Sequence, residues 1–192
     1  VNNGKPVWQD WKFVYFLLAT IPVSTVFFQH FTTMPLFVVE DLGFTRSAFG
    51  FLIAINTVLI IFIEVPLNVK TINWDDWKSL SIGALLCALG FGGMVFTTEI
   101  IALVLTIIVW TFGEMIFFPA SASLAANISP KERRGEYMGY YQMMFSFVFM
   151  IAPYGGAKIL EVYGSQVLWS VTFFVALISM MMMINFRKIH KS

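Results

Sequence analysis

The chain has 192 residues, of which 58% are hydrophobic and 12% charged, and its mean hydropathy is +0.79. A water-soluble domain carries about 25% charged residues, so this composition excludes an ordinary soluble protein and indicates an integral membrane protein. The net charge of +1 gives no reason to expect a nucleic-acid partner. One cysteine, Cys87, excludes an internal disulfide, and two distant histidines form no metal-binding cluster, so no cofactor is predicted.

Six apolar segments approach or exceed the length of about 20 residues that a membrane-spanning helix requires. They are residues 13–39, 48–67, 80–96, 100–126, 138–159 and 167–186, which leave a leader at 1–12 and a tail at 187–192. Val1 opens the chain in place of Met, so we expect a processed or fragmentary chain. The predicted fold class is all-α integral membrane, with six transmembrane helices.

Several spans contain a proline, which kinks a helix and frees backbone carbonyls. Pro35 lies in the first span, Pro119 in the fourth and Pro153 in the fifth. We expect these positions to act as hinges or to shape helix packing.

Basic residues predict the orientation of the spans. If the leader lies in the cytoplasm, ten basic residues fall in cytoplasmic segments, whereas only Arg46 and Lys158 fall at or near the other side. This asymmetry obeys the positive-inside rule. We therefore expect both termini in the cytoplasm and the protein in a bacterial inner membrane. The ten residues are Lys5, Lys12, Lys70, Lys78, Lys131, Arg133, Arg134, Arg187, Lys188 and Lys191.

The connection before the fifth span carries a helix-start pattern. Ser129 is followed by Pro130 and by Glu132 three residues later, which predicts a capping box. Gly135 and Gly139 then form a small-xxx-small step that permits close helix packing. The other loops are short and leave no room for a nucleotide-binding or catalytic soluble domain.

A series of short motifs, in this order and spacing, resembles the second six-helix half of the major facilitator superfamily. The motifs are Gln29 followed by Pro35; Leu42-Gly43 with Gly50, Asn56 and Glu64-Val65-Pro66-Leu67; Gly113-Glu114-Met115 with Phe118-Pro119; Ser129 to Gly135 with Gly139; and Ala152-Pro153-Tyr154-Gly155-Gly156. Together they cover nearly the whole chain. The last motif is similar to the family's Gly-Pro-x-x-Gly-Gly element, with Ala152 in place of the first glycine.

Two departures favour the second half of the family's fold over the first. The Gly-x-x-x-Asp-Arg type of loop that follows the second helix of first halves is absent from residues 68–78. The fourth span also lacks the arginine that first halves of proton antiporters often carry.

The resemblance implies two three-helix repeats of inverted topology, which together make half of a twelve-helix transporter. It implies an N-terminal six-helix half as partner, in the same polypeptide or in a separate chain. It also implies a small-molecule substrate held midway across the membrane, with membrane lipid around the bundle. Secondary active transport by alternating access, with proton-coupled efflux of an amphipathic solute, is the leading function.

Glu114 is the main candidate for a residue that contacts the substrate or carries a proton. A carboxylate at mid-membrane depth costs about 2.5–3.5 kcal/mol on insertion scales, so it usually has a partner, a water-lined cavity or a proton to move. A structural hydrogen bond between packed helices is the alternative role. On the helices where the family holds its substrates, Gln29, Asn56 and His30 are further candidates, and interhelical hydrogen bonding is again the alternative.

Three charged residues lie towards the predicted cytoplasmic side. Glu64, just before Pro66, is a candidate to pair with a basic loop residue and close an inward gate, although a water-stabilised carboxylate would look the same. Arg133 and Arg134 are candidates for contact with anionic lipid or with an acidic group of the other half. Their position also follows from the positive-inside rule alone.

Two other classes of function remain as alternatives. A membrane subunit of an ATP-driven transporter would need a loop that couples to an ATPase, and these loops are too short to show one. A six-helix serine protease would need His30 to meet Ser121 or Ser123, but no Gly-x-Ser-x-Gly turn surrounds either serine. We therefore expect a protein that is not an enzyme.

Overall fold

The computed structural model describes residues 6–191, with side chains as far as Arg187. Residues 1–5 of the predicted leader and the side chains of the tail, with Lys188, His190 and Lys191, lie outside the described residues. The helices are α1 (Trp11–Phe27), α2 (Thr33–Leu36), α3 (Arg46–Thr71), α4 (Asp76–Gly93), α5 (Ile100–Ile128), α6 (Arg134–Tyr163) and α7 (Ser165–Lys191). No strand occurs in the part of the chain that the structure describes.

Six of these helices, α1 and α3 to α7, are long and apolar enough to cross a membrane. The predicted all-α class with six spans is therefore confirmed. The third span begins earlier than its hydropathy indicates, because α4 starts at Asp76 and a 3-10 turn at Met94–Phe96 completes it. The polar first turn of α4 is what hid this start from the hydropathy pattern.

The first span is broken, whereas the others run on. After α1 a 3-10 turn covers Phe28–Phe31, the short α2 follows, and a π-helical turn covers Phe37–Asp41. Pro35 lies within α2 and, having no N–H, cannot bond the carbonyl four residues earlier. Pro119 and Pro153, in contrast, lie inside the unbroken helices α5 and α6.

The predicted capping box at Ser129 is wrong. The Ser129 hydroxyl donates to the carbonyl of Ala125 and so satisfies the last turn of α5 instead of opening α6. Residues Lys131–Arg133 form a 3-10 turn, and α6 begins at Arg134 without a side-chain cap. A serine hydroxyl can bond either the helix behind it or the helix ahead of it, and here the completed helix takes it.

Helix contacts follow a twofold pattern. The helix α4 packs against α5 and α7, α7 also packs against α1, α5 against α3, and α1 against α6. Exchanging α1, α3 and α4 with α5, α6 and α7 maps the α4–α5 contact onto α7–α1 and the α3–α5 contact onto α6–α1, and it leaves the α4–α7 contact in place. That is the arrangement that two inverted three-helix repeats require.

Three glycines bring α4 and α5 into backbone contact. A Cβ on Gly83 would lie 2.8 Å from Phe117 Cβ, and a Cβ on Gly90 would lie 2.5 Å from Trp110 Cβ. From the other side, a Cβ on Gly113 would lie 2.7 Å from the Cys87 nitrogen. Small residues permit such approach between membrane helices, so α4 and α5 form the tightest pair of the bundle.

The helices α3 and α6 are the least covered. Leu52 is the only buried residue of α3, and large side chains such as Phe51 and Phe62 are 75% and 72% exposed. Gly135 and Gly139 lie on the exposed side of α6, where an added Cβ would meet no atom within 4 Å. Within the described chain this glycine step packs against nothing, and its predicted close contact stays a prediction.

We expect Gly90→Ala to lower the thermal unfolding temperature of the detergent-solubilised protein, because the new methyl group would force α4 away from α5. The cost of overpacking is about 1–3 kcal/mol. Gly50→Ala in α3 is the matched control, because its Cβ would meet nothing within 4 Å and both variants gain the same helix propensity. Equal unfolding temperatures for the two variants would contradict the close approach.

Candidate functional site

A polar bridge joins α3 to α5 at the middle of the bundle. Glu114 is the midpoint of α5, which runs Ile100–Ile128. The Asn56 side-chain nitrogen Nδ2 donates to Glu114 Oε2 at 2.8 Å and to Thr111 Oγ1 at 3.0 Å. The Thr111 hydroxyl in turn donates to the Ile107 carbonyl at 2.6 Å. Two sequence-predicted site residues, Asn56 and Glu114, are thus brought into direct contact.

Helix packing decides which way Glu114 points. The preceding residue, Gly113, lies against the backbone of α4. Successive side chains of an α-helix are about 100° apart around its axis, so Glu114 is turned away from α4, and it meets α3. Both Asn56 and Glu114 are half-buried, and Glu114 Oε1 accepts no hydrogen bond from the residues that the structure describes. The carboxyl group therefore has one bonded oxygen and one open oxygen.

An aromatic surface lies beside the bridge. Phe118 follows Glu114 by one helical turn, and its ring centroid lies 4.7 Å from that of Phe27 and 5.8 Å from that of Phe145. The surface continues from α1 to α6, where Phe31 and Phe149 are 5.7 Å apart and are 56% and 50% exposed. We call this set the aromatic surface; its members are Phe27, Phe28, Phe31, Phe118, Phe145 and Phe149.

His30 lies at the edge of the aromatic surface. Its Nδ1 is 2.7 Å from the Phe27 carbonyl oxygen, and its ring packs 3.8 Å from Phe31 and 5.6 Å from Trp110, centroid to centroid. Among the described residues, no hydrogen bond joins His30 to Ser121 or Ser123. Ser121 instead pairs with the Tyr141 hydroxyl at 2.6 Å. The contact that a serine protease would need is not formed in the described chain.

Gln29 lies apart from the Asn56–Glu114 bridge and is only 3% exposed. Its side-chain amide bonds to α1, to α2 and to the Ala152 carbonyl of α6. Gly156 lies against this amide, and Pro153 follows Ala152 directly. The structure thus brings Gln29 together with the Pro153-Tyr154-Gly155-Gly156 motif, and a substrate contact by Gln29 stays a prediction.

The charged candidates near the basic side of the bundle form a separate group. Glu64 is half-buried and has no ion pair among the described residues. Arg133 binds Glu136 with two hydrogen bonds of 2.8 and 2.9 Å, and its guanidinium lies 5.8 Å from the Tyr137 ring centroid. Arg134, the first residue of α6, is exposed. A gate contact between Glu64 and a basic loop residue is not formed here and stays a prediction.

Sequence reasoning missed three parts of the site. Thr111 lies one turn before Glu114. This spacing places both side chains on one face of α5 and could have been recognised in the sequence. The residues Thr57, Glu64 and Thr71 recur every seven residues along α3 and so share one side of it; we call them the polar line. A cleft of about 370 Å³ opens between α3 and α5 and is lined by Asn68, Pro119 and Ser123 among others. The cleft had no signal in the sequence.

Comparisons with known proteins agree with this architecture. A family model described as Major Facilitator Superfamily matches residues 14–191. The chain is similar to the uncharacterized MFS-type transporter YttB of Bacillus subtilis (strain 168), with 22% identity over 131 residues, which are 67% of this chain and 33% of that protein. It is similar to the uncharacterized MFS-type transporter YhjO of the same organism, with 25% identity over 154 residues, which are 80% of this chain and 38% of that protein.

The match therefore covers nearly the whole chain, while the chain spans well under half the length of these two relatives. The family model, the six spans and the repeat pattern of helix contacts agree with the resemblance seen in the short motifs. The chain belongs to the Major Facilitator Superfamily of membrane transporters.

Proposed function

We propose that the chain is the C-terminal half of a secondary active transporter that moves a small amphipathic solute by alternating access. The solute leaves the cell, and the entry of protons drives its export. The observation that supports this proposal most is the position of Glu114. It lies at the midpoint of a membrane-spanning helix, bonded to a neutral amide and open on one oxygen.

The chemistry of the bridge suits a residue that gains and loses a proton. Asn56 is neutral, so it stabilises the carboxylate by hydrogen bonding without cancelling its charge. A charge at this depth is tolerated where it faces a water-filled cavity or a bound cation, and the neutral acid is preferred where the site is dry. A change between wet and dry surroundings would therefore drive proton binding and release at Glu114.

The route from the bridge towards the basic side is polar. The polar line runs along α3 in that direction, and the cleft between α3 and α5 contains the side chains of Asn68 and Ser123. Under the positive-inside rule this side faces the cytoplasm, with both termini there. We propose a bacterial inner (plasma) membrane because both relatives are bacterial proteins, and we assign the cleft to the cytoplasmic entrance.

The aromatic surface favours an amphipathic solute. Its exposed members, Phe31 and Phe149, offer apolar contact area, and one carboxyl group lies one turn from Phe118. Small-molecule sites typically have a mostly apolar wall with a small number of precisely placed polar groups. A solute with an apolar body and one polar or charged group fits both parts of the site.

A second half of the transporter is needed to cover the bridge. Ionisable residues within spans almost always face a bundle interior or a cavity, yet the bridge and the polar line lie on α3, which has one buried residue. The two relatives are far longer than this chain. We propose that an N-terminal six-helix half, in the same polypeptide or in a separate chain, covers this side.

We expect Glu114→Gln to abolish ethidium transport driven by a pH gradient in proteoliposomes of the complete transporter, by about 100-fold or more. The side-chain oxygen of the new glutamine can still accept the hydrogen bond from Asn56, but the amide cannot gain or lose a proton. Exchange of ethidium without a pH gradient should therefore continue. The measurement is ethidium fluorescence under both conditions.

Glu99→Gln is the control, because Glu99 is an exposed carboxylate at the start of the same helix, outside the span. Loss of both gradient-driven transport and exchange would indicate a structural role for Glu114. Unchanged gradient-driven transport would remove it from proton coupling.

We expect a photoreactive benzoylphenylalanine at Thr57 in the polar line to attach to the other half of the transporter. The same probe at Phe174, which is 63% exposed on α7 beside the exposed side chains of Val171 and Ile178, should attach to lipid. Mass spectrometry of the crosslinked peptides distinguishes the two outcomes. Lipid adducts at both positions would contradict the proposed docking side.

A further inference from the structure

We propose that Gln29 is a positioning residue that pins the broken first span to α6, so that the two move as one body while the transporter changes state. This proposal rests on the proposed transport function. It assigns the movable contact of this half to the symmetry-related pair, where α3 meets α5.

Both the nitrogen and the oxygen of the Gln29 side-chain amide form hydrogen bonds. Its Nε2 donates to the Thr25 carbonyl of α1 and to the Ala152 carbonyl of α6, each at 2.9 Å. Its Oε1 accepts from the Thr33 hydroxyl of α2 at 3.0 Å. Both amide hydrogens and the carbonyl oxygen are thus used, in a side chain that is 3% exposed. One residue links three helices through hydrogen bonds, beside a cavity of about 250 Å³ that Thr25, Gln29 and Ala152 help to line.

The pin joins the interruption of the first span to the part of α6 that contains Pro153. Gln29 belongs to the 3-10 turn that interrupts the first span. On the other helix, the bonded carbonyl belongs to Ala152, directly before Pro153, which cannot donate a backbone hydrogen bond within α6. Gly156 leaves the space that the amide occupies, since a Cβ there would overlap Gln29 Oε1. A side chain bound to the interrupted first span and to the continuous helix α6 fixes the angle between the two.

The contact between repeats that is equivalent to α1–α6 has the opposite character. The repeat exchange maps the α1–α6 contact onto the α5–α3 contact. There the bridge is Asn56–Glu114, which is half-buried and includes an ionisable group. A buried neutral bridge resists opening, whereas a half-exposed bridge to a carboxyl group can change with its proton. The geometry therefore points to a fixed α1–α6 pair and a movable α3–α5 pair.

The first test ties α1 to α6 covalently in the complete transporter. Thr25→Cys on α1 and Ile151→Cys on α6 place two thiols on the wall of one cavity of about 250 Å³, outside the aromatic surface, in a background with Cys87→Ala and any other cysteine replaced. A short bis-methanethiosulfonate then links them. Ethidium transport should continue at an unchanged rate after crosslinking. Transport that stops on crosslinking and returns with a reductant would overturn the proposal.

The second test removes the pin and asks whether the crosslink replaces it. We expect Gln29→Leu and Gly156→Ala each to lower the maximal rate of ethidium transport by about threefold or more, the factor that corresponds to an average interhelical hydrogen bond in a membrane, with KM unchanged. Gly155→Ala is the matched control, since its Cβ meets nothing within 4 Å. The Thr25→Cys/Ile151→Cys crosslink should restore the rate in Gln29→Leu, and a reductant should abolish that rescue.

The rate of crosslinking separates failure of the pin from failure of the proposed function. It needs no transported solute, and we expect Gln29→Leu and Gly156→Ala to lower it by about threefold while Gly155→Ala does not. Equal rates in all four proteins would overturn the pin, even if ethidium is transported. If the wild-type protein does not move ethidium but the crosslinking rates differ as expected, the solute is wrong and the pin stands.

Discussion

The close approach of α4 to α5 is the constraint on which the rest of the bundle depends. Lipid tails are as apolar as the helix surfaces, so helices in a membrane gain little from hiding apolar area and associate by close packing instead. Gly83, Gly90 and Gly113 provide that packing, with backbone atoms of one helix against those of the other. The contact also fixes the rotation of α5 about its axis. That rotation turns Glu114 towards α3 and away from the tightly packed interior.

Inverted repeats give one half-transporter two copies of each helix contact, but the chemistry of the two copies differs. The α1–α6 contact carries a buried amide whose hydrogen bonds are all made within the half. The α3–α5 contact carries a carboxyl group with an open oxygen. Symmetry of the backbone thus supplies two equivalent joints, and the side chains make one of them tight and leave in the other a carboxyl oxygen that no described residue bonds.

The sequence predicted the features that depend on length, composition and spacing along one helix. Six spans follow from the number of apolar residues that a membrane requires, and Glu114 is conspicuous because a carboxylate is costly there. Contacts between helices depend on rotation and register, which no single segment contains. Gln29 and Asn56 are both amides within spans, yet one is buried between α1 and α6 and the other binds Glu114. Ser129 failed as a cap for a local reason, because the helix that it follows had a carbonyl for the same hydroxyl.

The low burial of α3 bears on how this helix could move relative to α5. Its neighbour α5 holds it through apolar contact and one polar bridge, and most of its surface faces outward. A helix with so little burial moves at low cost, since few contacts must break. The hydroxyl groups of Thr57 and Thr71 bond carbonyls of their own helix. The carboxyl groups of Glu64 and Glu114, however, cannot face hydrocarbon without a penalty of about 2.5–3.5 kcal/mol each when charged. In the function proposed above, alternating access then has one requirement, that a second half covers the bridge in one state and that the cleft wets it in the other.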